Sequence, residues 1–390
     1  MSNGKTGKGR TGVRVSEKNR LTLWTRSAGR CQYEGCNEPL LGDIVSGREK
    51  LNKAYIAHIV AAAADGPRGD PERSPLLANS VDNLMLLCDP HHRLIDREDV
   101  PGHPESRLLA MKQAHEERIA IVTAIAADRG THILHYAARI GEHDCLVSSA
   151  MSRDAVLPGR YPLQAPISLE VIGSDYRDSE PQYWALQIDN LRRQFALKVG
   201  ERLRSGEMRH VSVFAIGPQP LLVELGQLLG DIAHVDVRQI SREPRGWAWR
   251  EGRPEISFRS RRAGGGRAAQ VALNLGVSAH IADERITAVL GADCPVWAIE
   301  ATQPGNDILA SPACLARFRT LLRETFAAIR DVYGSETEIH LFPALPVAMA
   351  VEVGRVWMPK ADLPLVIHDE HRELGGFQVR HRIEGLRALA

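Results

Sequence analysis

Residues 82–96 are DNLMLLCDPHHRLID, and this stretch decides the fold of the N-terminal part of the chain. The apolar run over residues 84–88 predicts a short buried strand, bounded by polar residues on both sides. Asp89 and Pro90 favour the start of a helix directly after it, ending near residue 97. The stretch therefore predicts a strand followed by a helix that carries two adjacent histidines on its first turn.

Four side chains have the spacing typical of a structural zinc site. Cys31 and Cys36 form one pair, and Cys88 and His91 form a second pair nearby in the fold. Structural zinc takes four thiolate or imidazole ligands, usually from two such short segments. We expect these four residues to bind Zn²⁺ and to stabilise a small, loop-rich domain. The alternative is a set of buried thiols without an ion.

A second group of side chains suits phosphodiester hydrolysis. The strand-like segment 53–60 contains His58, and Asn83 precedes the buried strand. A neutral histidine can take the proton of water, and a divalent ion can bridge the phosphate and the leaving oxygen. We assign His58 as general base, His92 as ligand of the catalytic ion, and Asn83 as a residue that orients His58 or adds a ligand oxygen. The alternatives are a core histidine at 58 and a surface pair at 91 and 92.

Composition limits the rest of the chain. A length of 390 residues, with 44% hydrophobic and 25% charged residues, predicts a soluble globular protein of two or three domains. No long apolar run and no signal-like segment is present, so we expect a cytoplasmic protein without a membrane span. The net charge is only +1, yet residues 1–30 carry eight Lys and Arg against Glu17 alone. We expect this basic arm to contact DNA phosphates; the alternative is a solvated tail.

The order of these motifs resembles that of the HNH endonucleases, which have the ββα-metal fold. The resemblance covers residues 25–100 and implies that His58, Asn83 and His92 are the H-N-H residues, acting with Mg²⁺ or another divalent ion. The motifs that carry it are Cys31/Cys36, Ala57-His58-Ile59, Gly66-Pro67-Arg68, Asn83-Leu84, Leu87-Cys88 and His91-His92-Arg93-Leu94-Ile95-Asp96.

The chain departs from the family pattern at two positions. His91 stands where many members have cysteine, which would make the zinc set three cysteines and one histidine. Ala57 stands where many members have an acidic residue or a histidine before the base. Asp65 and Asp96 are the remaining candidate ligands of the catalytic ion.

From about residue 165 the chain alternates strand-like and helix-like segments, which predicts an α/β sheet domain. A shift of 128 residues carries residues 210–230 onto 338–358, and the shared order of elements suggests a duplication. We expect two related halves whose strand-end loops face one crevice, where such sheets bind ligands. The identical pairs are Phe214/Phe342, Pro218/Pro346, Val223/Val351, Glu224/Glu352 and Gly226/Gly354.

This second part resembles the SAVED domain, a fused pair of CARF-like Rossmannoid units. The resemblance covers residues 140–390 and implies a sensor of cyclic oligonucleotides. The stretches that carry it are Val271-Ala272-Leu273-Asn274-Leu275-Gly276, Pro304-Gly305-Asn306-Asp307, Leu341-Phe342-Pro343-Ala344-Leu345-Pro346, Glu352, Gly354-Arg355 and Met358-Pro359-Lys360.

An HNH nuclease fused to a SAVED domain resembles an effector of the CBASS antiphage systems. The resemblance implies activation by a cyclic di- or trinucleotide from a partner CD-NTase. It also implies a homo-oligomer, a dimer that assembles further on activation, and the degradation of double-stranded DNA in abortive infection.

A cyclic nucleotide needs stacking surfaces for its bases and donors for its phosphates. We predict that two segments supply them, the tryptophan-rich loop near residue 248 and the loop after the strand near residue 342. For the tryptophans, the alternative is core packing or an oligomer contact. The predicted ligand-binding residues are Trp247, Trp249, Arg250, Phe342, Pro343, Pro346 and Lys360.

The sequence therefore predicts an α/β multidomain protein. We expect a zinc-stapled ββα-metal nuclease domain over residues 1–128, a connector over 129–145, and a SAVED domain of two CARF-like halves over 146–390. The predicted function is that of a cyclic-nucleotide-activated, metal-dependent endonuclease. Two alternatives stay open: a zinc-containing DNA-binding regulator switched by a ligand, and a restriction-type HNH nuclease whose C-terminal part reads DNA sequence.

Overall fold

The structure, a computed structural model, divides into two compact units, Met1–Ala126 and Ala127–Ala390. Much of the predicted basic arm lies outside the described residues, which begin at Arg14. Within the part of the chain that is described, no helix combines the length and the apolar character that crossing a bilayer requires. The described residues are 14–42, 52–140, 145–171, 173, 176–231, 234–250, 252, 255–305 and 307–385.

Unit 1 is built on a two-stranded antiparallel sheet of β1 (Ala54–His58) and β2 (Leu84–Cys88). The register places His58 opposite Leu84 and Ala54 opposite Cys88. The strand β2 leads directly into a helix, as the sequence predicts. The helices of the unit are α1 (Glu17–Arg26), α2 (Arg73–Leu77), α3 (Asp89–Arg93) and α4 (Glu105–Thr123), and the π-helical turn Leu94–Glu98 continues α3.

The core of unit 1 forms around β2, because every residue of that strand is apolar and buried. Leu23 of α1, Ile95 after α3 and Leu108 of α4 belong to the same cluster. The helix α1 begins at Ser16, whose hydroxyl accepts a hydrogen bond from the backbone of Asn19 and so caps the helix. This packing fixes the position of the β2–α3 junction.

Unit 2 contains two main sheets, which we call the first half and the second half. The first half is a parallel sheet in the order β4-β3-β6-β7, with β5 also paired to β3. Its strands are β3 (Gly130–Ala137), β4 (Tyr161–Pro162), β5 (Ile167–Leu169), β6 (His210–Ile216) and β7 (His234–Arg238). A small hairpin of β8 (Ser241–Arg242) and β9 (Arg245–Gly246) follows.

The second half is a six-stranded sheet in the order β10-β12-β11-β13-β14-β15. Its four central strands are parallel, and the two edge strands run antiparallel to their neighbours. Its strands are β10 (Phe258–Arg261), β11 (Gln270–Gly276), β12 (Val296–Ala301), β13 (Glu338–Ala344), β14 (Leu365–His371) and β15 (Gly376–Ile383).

Helices alternate with the strands of both halves, as the sequence predicts. Residues 181–204 form two helices joined by a π-helical turn, Ala196–Gly200. The helices of unit 2 are α5 (Ser149–Val156), α6 (Pro181–Phe195), α7 (Glu201–Arg204), α8 (Gln219–Leu229), α9 (Asp283–Leu290), α10 (Pro312–Tyr333) and α11 (Val347–Val356).

The segment 129–145 differs from the connector expected there. Its first part is β3, which pairs with β6 along its length and lies inside the sheet of the first half. Six of its eight residues are buried, among them His132 and His135. Polar histidines inside the strand break the apolar run that would have identified it, so the sequence pattern alone missed this element.

The two halves pack through α8 and α11, which cross at a pair of glycines. A Cβ atom on Gly226 would overlap the carbonyl oxygen of Val351, and a Cβ atom on Gly354 would overlap the carbonyl oxygen of Val223. A shift of 128 residues exchanges these two contacts. The same shift carries β6 onto β13, end to end, and the start of α8 onto the start of α11. The repeat seen in the sequence thus corresponds to an approximate two-fold arrangement.

Candidate metal centre and active site

Four potential metal ligands come together in unit 1, as the sequence predicts: Cys31, Cys36, Cys88 and His91. Their ligand atoms all lie within 4.8 Å of one another. The Sγ atoms of Cys31 and Cys88 are 3.7 Å apart, and the Nδ1 atom of His91 lies 3.7 Å and 3.0 Å from them. Two sulfurs bound to one zinc ion would lie about 3.8 Å apart, so the cluster fits tetrahedral coordination.

Backbone pairing explains how the two cysteine-bearing segments meet. Gln32 donates its backbone N–H to Leu86 and accepts the N–H of Leu86 on its side chain, at 2.9 Å and 2.7 Å. These bonds place Cys31 beside the end of β2, where Cys88 lies. Gly35 turns the chain back with a φ of 77°, a conformation that glycine adopts without strain.

The environment of the cluster sets the charge of its members. Burial raises the pKa of the Cys31 and Cys88 thiols and lowers the pKa of His91. Neutral imidazole is the form that binds metal, whereas the thiols must lose protons to do so. Tyr33 stacks on His91 with the ring centres 4.0 Å apart, and its hydroxyl lies 3.0 Å from Nε2 of His103. Sequence reasoning missed Tyr33, although its position between two ligand cysteines was a signal.

His58 lies at the end of β1 with one ring nitrogen engaged. Its Nε2 atom is 2.9 Å from the backbone carbonyl oxygen of Ala78. A carbonyl oxygen can only accept, so Nε2 carries the proton of the neutral ring and Nδ1 keeps a lone pair. No hydrogen-bond partner from the described residues reaches Nδ1. The arrangement therefore leaves the lone pair of Nδ1 able to accept a proton.

Asn83 is buried, with 4% of its surface exposed, and it holds backbone rather than the His58 ring. Its Oδ1 accepts from the N–H of Val60 at 2.8 Å, and its Nδ2 donates to the carbonyls of Val60 and Leu77 at 2.9 and 3.2 Å. Both N–H groups of the amide and one lone pair of its oxygen therefore bind main-chain groups. This corrects the expectation that Asn83 orients His58 directly, because the amide fixes the chain two residues beyond His58 instead. Its role as a ligand oxygen stays a prediction.

His92 lies on α3 beside a charged pair. Its Nε2 atom is 3.4 Å from Oδ2 of Asp96, whose Oδ1 accepts from Arg68 at 2.8 Å. Burial outweighs the attraction of Asp96 and lowers the pKa of His92, so the ring is neutral near pH 7. The ring of Tyr55 stacks on it at 4.9 Å. Asp65, the other carboxylate considered as a ligand, is exposed on its loop.

The structure offers few protein ligands to an ion at His92. His92 can supply one nitrogen, both oxygens of Asp96 face other groups, and Ala57 is buried and offers no donor. Among the described residues, the cysteine cluster is the one group of three or more acidic, histidine or cysteine side chains within ligating distance. The other coordination positions of an ion at His92 would fall to phosphate oxygens and water, which is usual for Mg²⁺.

In unit 2, the structure assigns Trp247 to the core. It is 2% exposed and packs edge-to-face on Phe214 with the ring centres 5.2 Å apart. Arg250 is bound by Asp307 and by the carbonyl of Glu243. Trp249 is half-buried and lines a cavity of about 200 Å³ together with Arg319 and Glu352 among others. The predicted stacking role is therefore wrong for Trp247, because no face of its ring is open.

The residues predicted to bind ligand near residue 342 are mostly buried, and Lys360 is exposed. Phe342 is fully buried, stacked on His368 at 4.3 Å, and Pro343 and Pro346 are buried as well. Phe342 therefore cannot stack on a base, which corrects the prediction. Lys360 is exposed in the turn after α11. Pro346 caps the start of α11 and so lies at the strand-end loop of the second half.

The strand-end loops of the two halves meet, as the repeat predicts. Gln219, at the start of α8, donates its side-chain N–H to the carbonyl of Leu345 at 2.9 Å, and Ala348 donates its backbone N–H to Gln239 at 3.1 Å. Among the described residues, neither the other amide atom of Gln219, Oε1, nor Oδ1 of Asn274 has a hydrogen-bond partner, and both atoms are buried. Sequence reasoning missed Gln219, although its position just after a strand-like segment was a signal.

Comparison with known families matches residues 191–383 to SAVED, the "SMODS-associated and fused to various effectors sensor domain". Comparison with curated proteins gave no match. Among solved structures, the chain is similar to the Acinetobacter baumannii Cap4 SAVED/CARF-domain containing receptor with the cyclic trinucleotide 2'3'3'-cAAA, with a TM-score of 0.41 and 12% identity over 72% of this chain and 56% of that one.

The Moraxella osloensis Cap4 SAVED/CARF-domain containing receptor gives a TM-score of 0.40 and 11% identity over 72% of this chain and 59% of that chain. The chain thus spans less than two thirds of the length of these two receptors. The family match lies within unit 2. The C-terminal part of the chain therefore carries a SAVED sensor domain, as the sequence predicts.

Proposed function

We propose that this protein is a metal-dependent endonuclease that a cyclic oligonucleotide activates and that cuts double-stranded DNA as an antiphage effector. One observation carries the proposal: a single chain combines a SAVED sensor domain with a strand–helix unit that holds His58 and His92 beside a four-ligand cluster. A sensor domain acts by controlling another activity of its protein, and unit 1 has side chains that suit phosphodiester hydrolysis.

The proposed reaction is the hydrolysis of one phosphodiester bond. Nδ1 of His58 takes a proton from water as the water oxygen attacks phosphorus, and the bond from phosphorus to the leaving oxygen breaks. The leaving oxygen takes a proton from solvent. A divalent ion, when bound, neutralises charge on the phosphate and the leaving oxygen. The carbonyl of Ala78 holds His58 in the tautomer that this role needs.

The cysteine cluster has a structural role in this proposal. It would hold Zn²⁺ with four protein ligands, which leaves no open position for substrate. The ion would join the turn at Cys31 and Cys36 to the β2–α3 junction, which carries His92. The position of His92 would then depend on an ion that takes no part in the chemistry.

The SAVED domain would control the cut. A cyclic di- or trinucleotide made by a partner nucleotidyltransferase would bind where the strand-end loops meet and favour an oligomer in which two nuclease units cut both strands. Such control has a physical purpose, because an unregulated nuclease would destroy the DNA of its own cell. Lys360 stays a candidate phosphate contact, since it is exposed.

Plasmid cleavage tests the proposal directly. The full chain is incubated with supercoiled DNA, Mg²⁺ and a panel of cyclic di- and trinucleotides that includes 2'3'3'-cAAA and 3'3'3'-cAAA. We expect linear and shorter products with one nucleotide only, and their loss in His58→Ala. His234→Ala, at an exposed histidine of β7, is the matched control and should cut normally. Absence of cutting under every nucleotide contradicts the proposal.

A second candidate function is that of a ligand-switched regulator that binds DNA without cutting it. Ala57 favours it, because a residue without a donor stands where a catalytic ion would gain a second protein ligand. His58→Ala distinguishes the two functions. A regulator with this substitution would keep its nucleotide-dependent DNA binding and lose no activity, whereas a nuclease would lose DNA cleavage. Cutting without any nucleotide would instead favour a restriction-type nuclease.

A further inference from the structure

Arg68 joins three parts of unit 1. Its Nε donates to the carbonyl of Ile59 at 2.6 Å, its Nη1 to the carbonyl of Ile95 at 2.8 Å, and its Nη2 to Oδ1 of Asp96 at 2.8 Å. Only 8% of its side chain is exposed. Ile59 directly follows His58, and Ile95 lies one helical turn beyond the histidine pair. One guanidinium therefore sets the spacing between the two elements that carry the proposed site.

Asp96 extends this contact to His92. Its Oδ2 lies 3.4 Å from Nε2 of His92, four residues earlier on the same helical segment. The contact is a close charge contact, and a carboxylate oxygen beside Nε2 favours the tautomer that carries the ring proton there. Tyr55 stacks on the ring with an angle of 17° between the planes. The orientation of His92 is thus fixed at one ring edge and on one face.

The Nδ1 atom of His92 is left without a hydrogen-bond partner among the described residues. Asp96 is a poor metal ligand by comparison, because its two oxygens already face Arg68 and His92. The geometry points to Arg68 and Asp96 as positioning residues that hold His92 so that Nδ1 is its metal-binding atom. The inference rests on the proposed function, since it takes His92 as the ligand of the catalytic ion.

A metal-binding histidine commonly donates its other N–H to a carboxylate, and loss of that partner weakens metal binding about 10–100-fold. A purely structural role makes a different prediction. If Arg68 and Asp96 only tie backbone segments together, removing the Asp96 charge would lower stability and leave the affinity of the folded protein for the ion unchanged. Ion affinity therefore separates the two roles, whereas activity alone does not.

The test measures Mn²⁺ binding to the zinc-loaded full chain by the electron paramagnetic resonance signal of free Mn²⁺. We expect Asp96→Asn to weaken binding about 10–100-fold while zinc content and circular dichroism stay as in the wild type. The matched control is Glu105→Gln, which breaks an exposed pair with Arg73 in the same unit and should leave Mn²⁺ affinity unchanged. If Asp96→Asn is too unstable for the Mn²⁺ titration, Asp96→Glu replaces it. We expect weaker Mn²⁺ binding there too, because the longer side chain displaces the carboxylate by one methylene.

A double variant shows whether Asp96 acts through His92. His92→Ala should weaken Mn²⁺ binding, and adding Asp96→Asn to it should cause no further loss. An additive loss would overturn the inference, as would unchanged affinity in Asp96→Asn or in His92→Ala. If Mn²⁺ binds through His92 but no nucleotide induces cutting, the proposed function fails and the positioning role stands. If cutting occurs and Asp96→Asn binds Mn²⁺ normally, the positioning role fails alone.

Discussion

Gly226 and Gly354 each lie against the main chain of the other's helix, in positions that a shift of 128 residues exchanges. The pairing lets α8 and α11 approach until backbone meets backbone. Any side chain at either position would meet a carbonyl oxygen, which cannot rotate away as a flexible side chain can. The contact between the halves of unit 2 therefore depends on two residues that have no side chain.

We expect Gly226→Ala and Gly354→Ala to destabilise unit 2 to a similar extent. Alanine gains about 1 kcal/mol of helix propensity over glycine, but forcing atoms into a packed contact costs about 1–3 kcal/mol or more. Because the obstacle is backbone, we expect a net loss of about 2 kcal/mol, measured by urea unfolding. Gly200→Ala is the matched control: its Cβ would make an ordinary contact at 3.5 Å, so it should be neutral or stabilising.

The cysteine cluster predicts one tightly held zinc ion per chain. Cys88→Ser replaces a thiolate by a weak ligand at the junction of β2 and α3, so zinc content should fall from about one ion per chain to near zero. Unit 1 should then lose its cooperative melting transition. Cys294→Ser, at a half-buried cysteine of unit 2, should keep both the zinc and the transition. Full zinc content in Cys88→Ser would contradict the assignment.

We expect Asn83 to act mainly on the stability of unit 1 rather than on the reaction. In Asn83→Ala, a buried N–H and a buried carbonyl of Val60 lose their partner, and each such group costs about 1–3 kcal/mol. We expect unit 1 to lose about 2–4 kcal/mol of unfolding free energy, measured by denaturant titration. Asn79→Ala, at an amide near the chain surface, should lose much less. A stable but inactive Asn83→Ala would show that the amide contacts the reacting groups after all.

Glu224 predicts acid sensitivity of unit 2. Burial opposes its ionisation, but hydrogen bonds from His381 and Arg192 prevail and lower the pKa of the carboxyl below its ordinary value of 4.5. A group of this kind contributes stability that is present above the unfolded-state pKa and is lost as the pH falls through the folded-state value. Glu224→Gln should therefore cost about 2–3 kcal/mol at pH 7. The difference from the wild type should shrink below pH 4.5, measured by urea unfolding at both pH values.

Asp189→Asn is the control for this pH effect. Asp189 pairs with Arg193 on the same helix, but both side chains are mostly exposed, so the pair contributes little. Its unfolding free energy should follow that of the wild type at every pH. If Glu224→Gln also follows the wild type, the buried network does not stabilise the domain.

Local patterns predicted the elements that are continuous in sequence. The strand Leu84–Cys88 has in the structure the bounds that the sequence gives it, because its apolar run ends at a polar residue on both sides. The cysteine cluster could also be predicted from the sequence, because the spacing of the four ligands does not depend on how the core packs.

The roles of individual side chains depended on contacts that no local pattern contains. The amide of Asn83 could have faced His58 or the main chain, and only the loop at Val60 decides between them. Trp247 was predicted as a stacking surface, but Phe214 of β6 packs against its ring. Such contacts join residues far apart in sequence, so their chemistry is visible only in three dimensions.

The close contact of α8 and α11 at Gly226 and Gly354 also affects how the two halves can diverge in sequence. A symmetric homodimer must present the same residues twice, whereas a duplicated chain can change one copy alone. Phe214 and Phe342 show this divergence: the first packs against Trp247, the second against His368 and Phe377. The close contact of the two backbones at Gly226 and Gly354 keeps the shared frame, while the core packing of each half differs. A molecule bound where the strand-end loops meet would therefore contact two unlike halves.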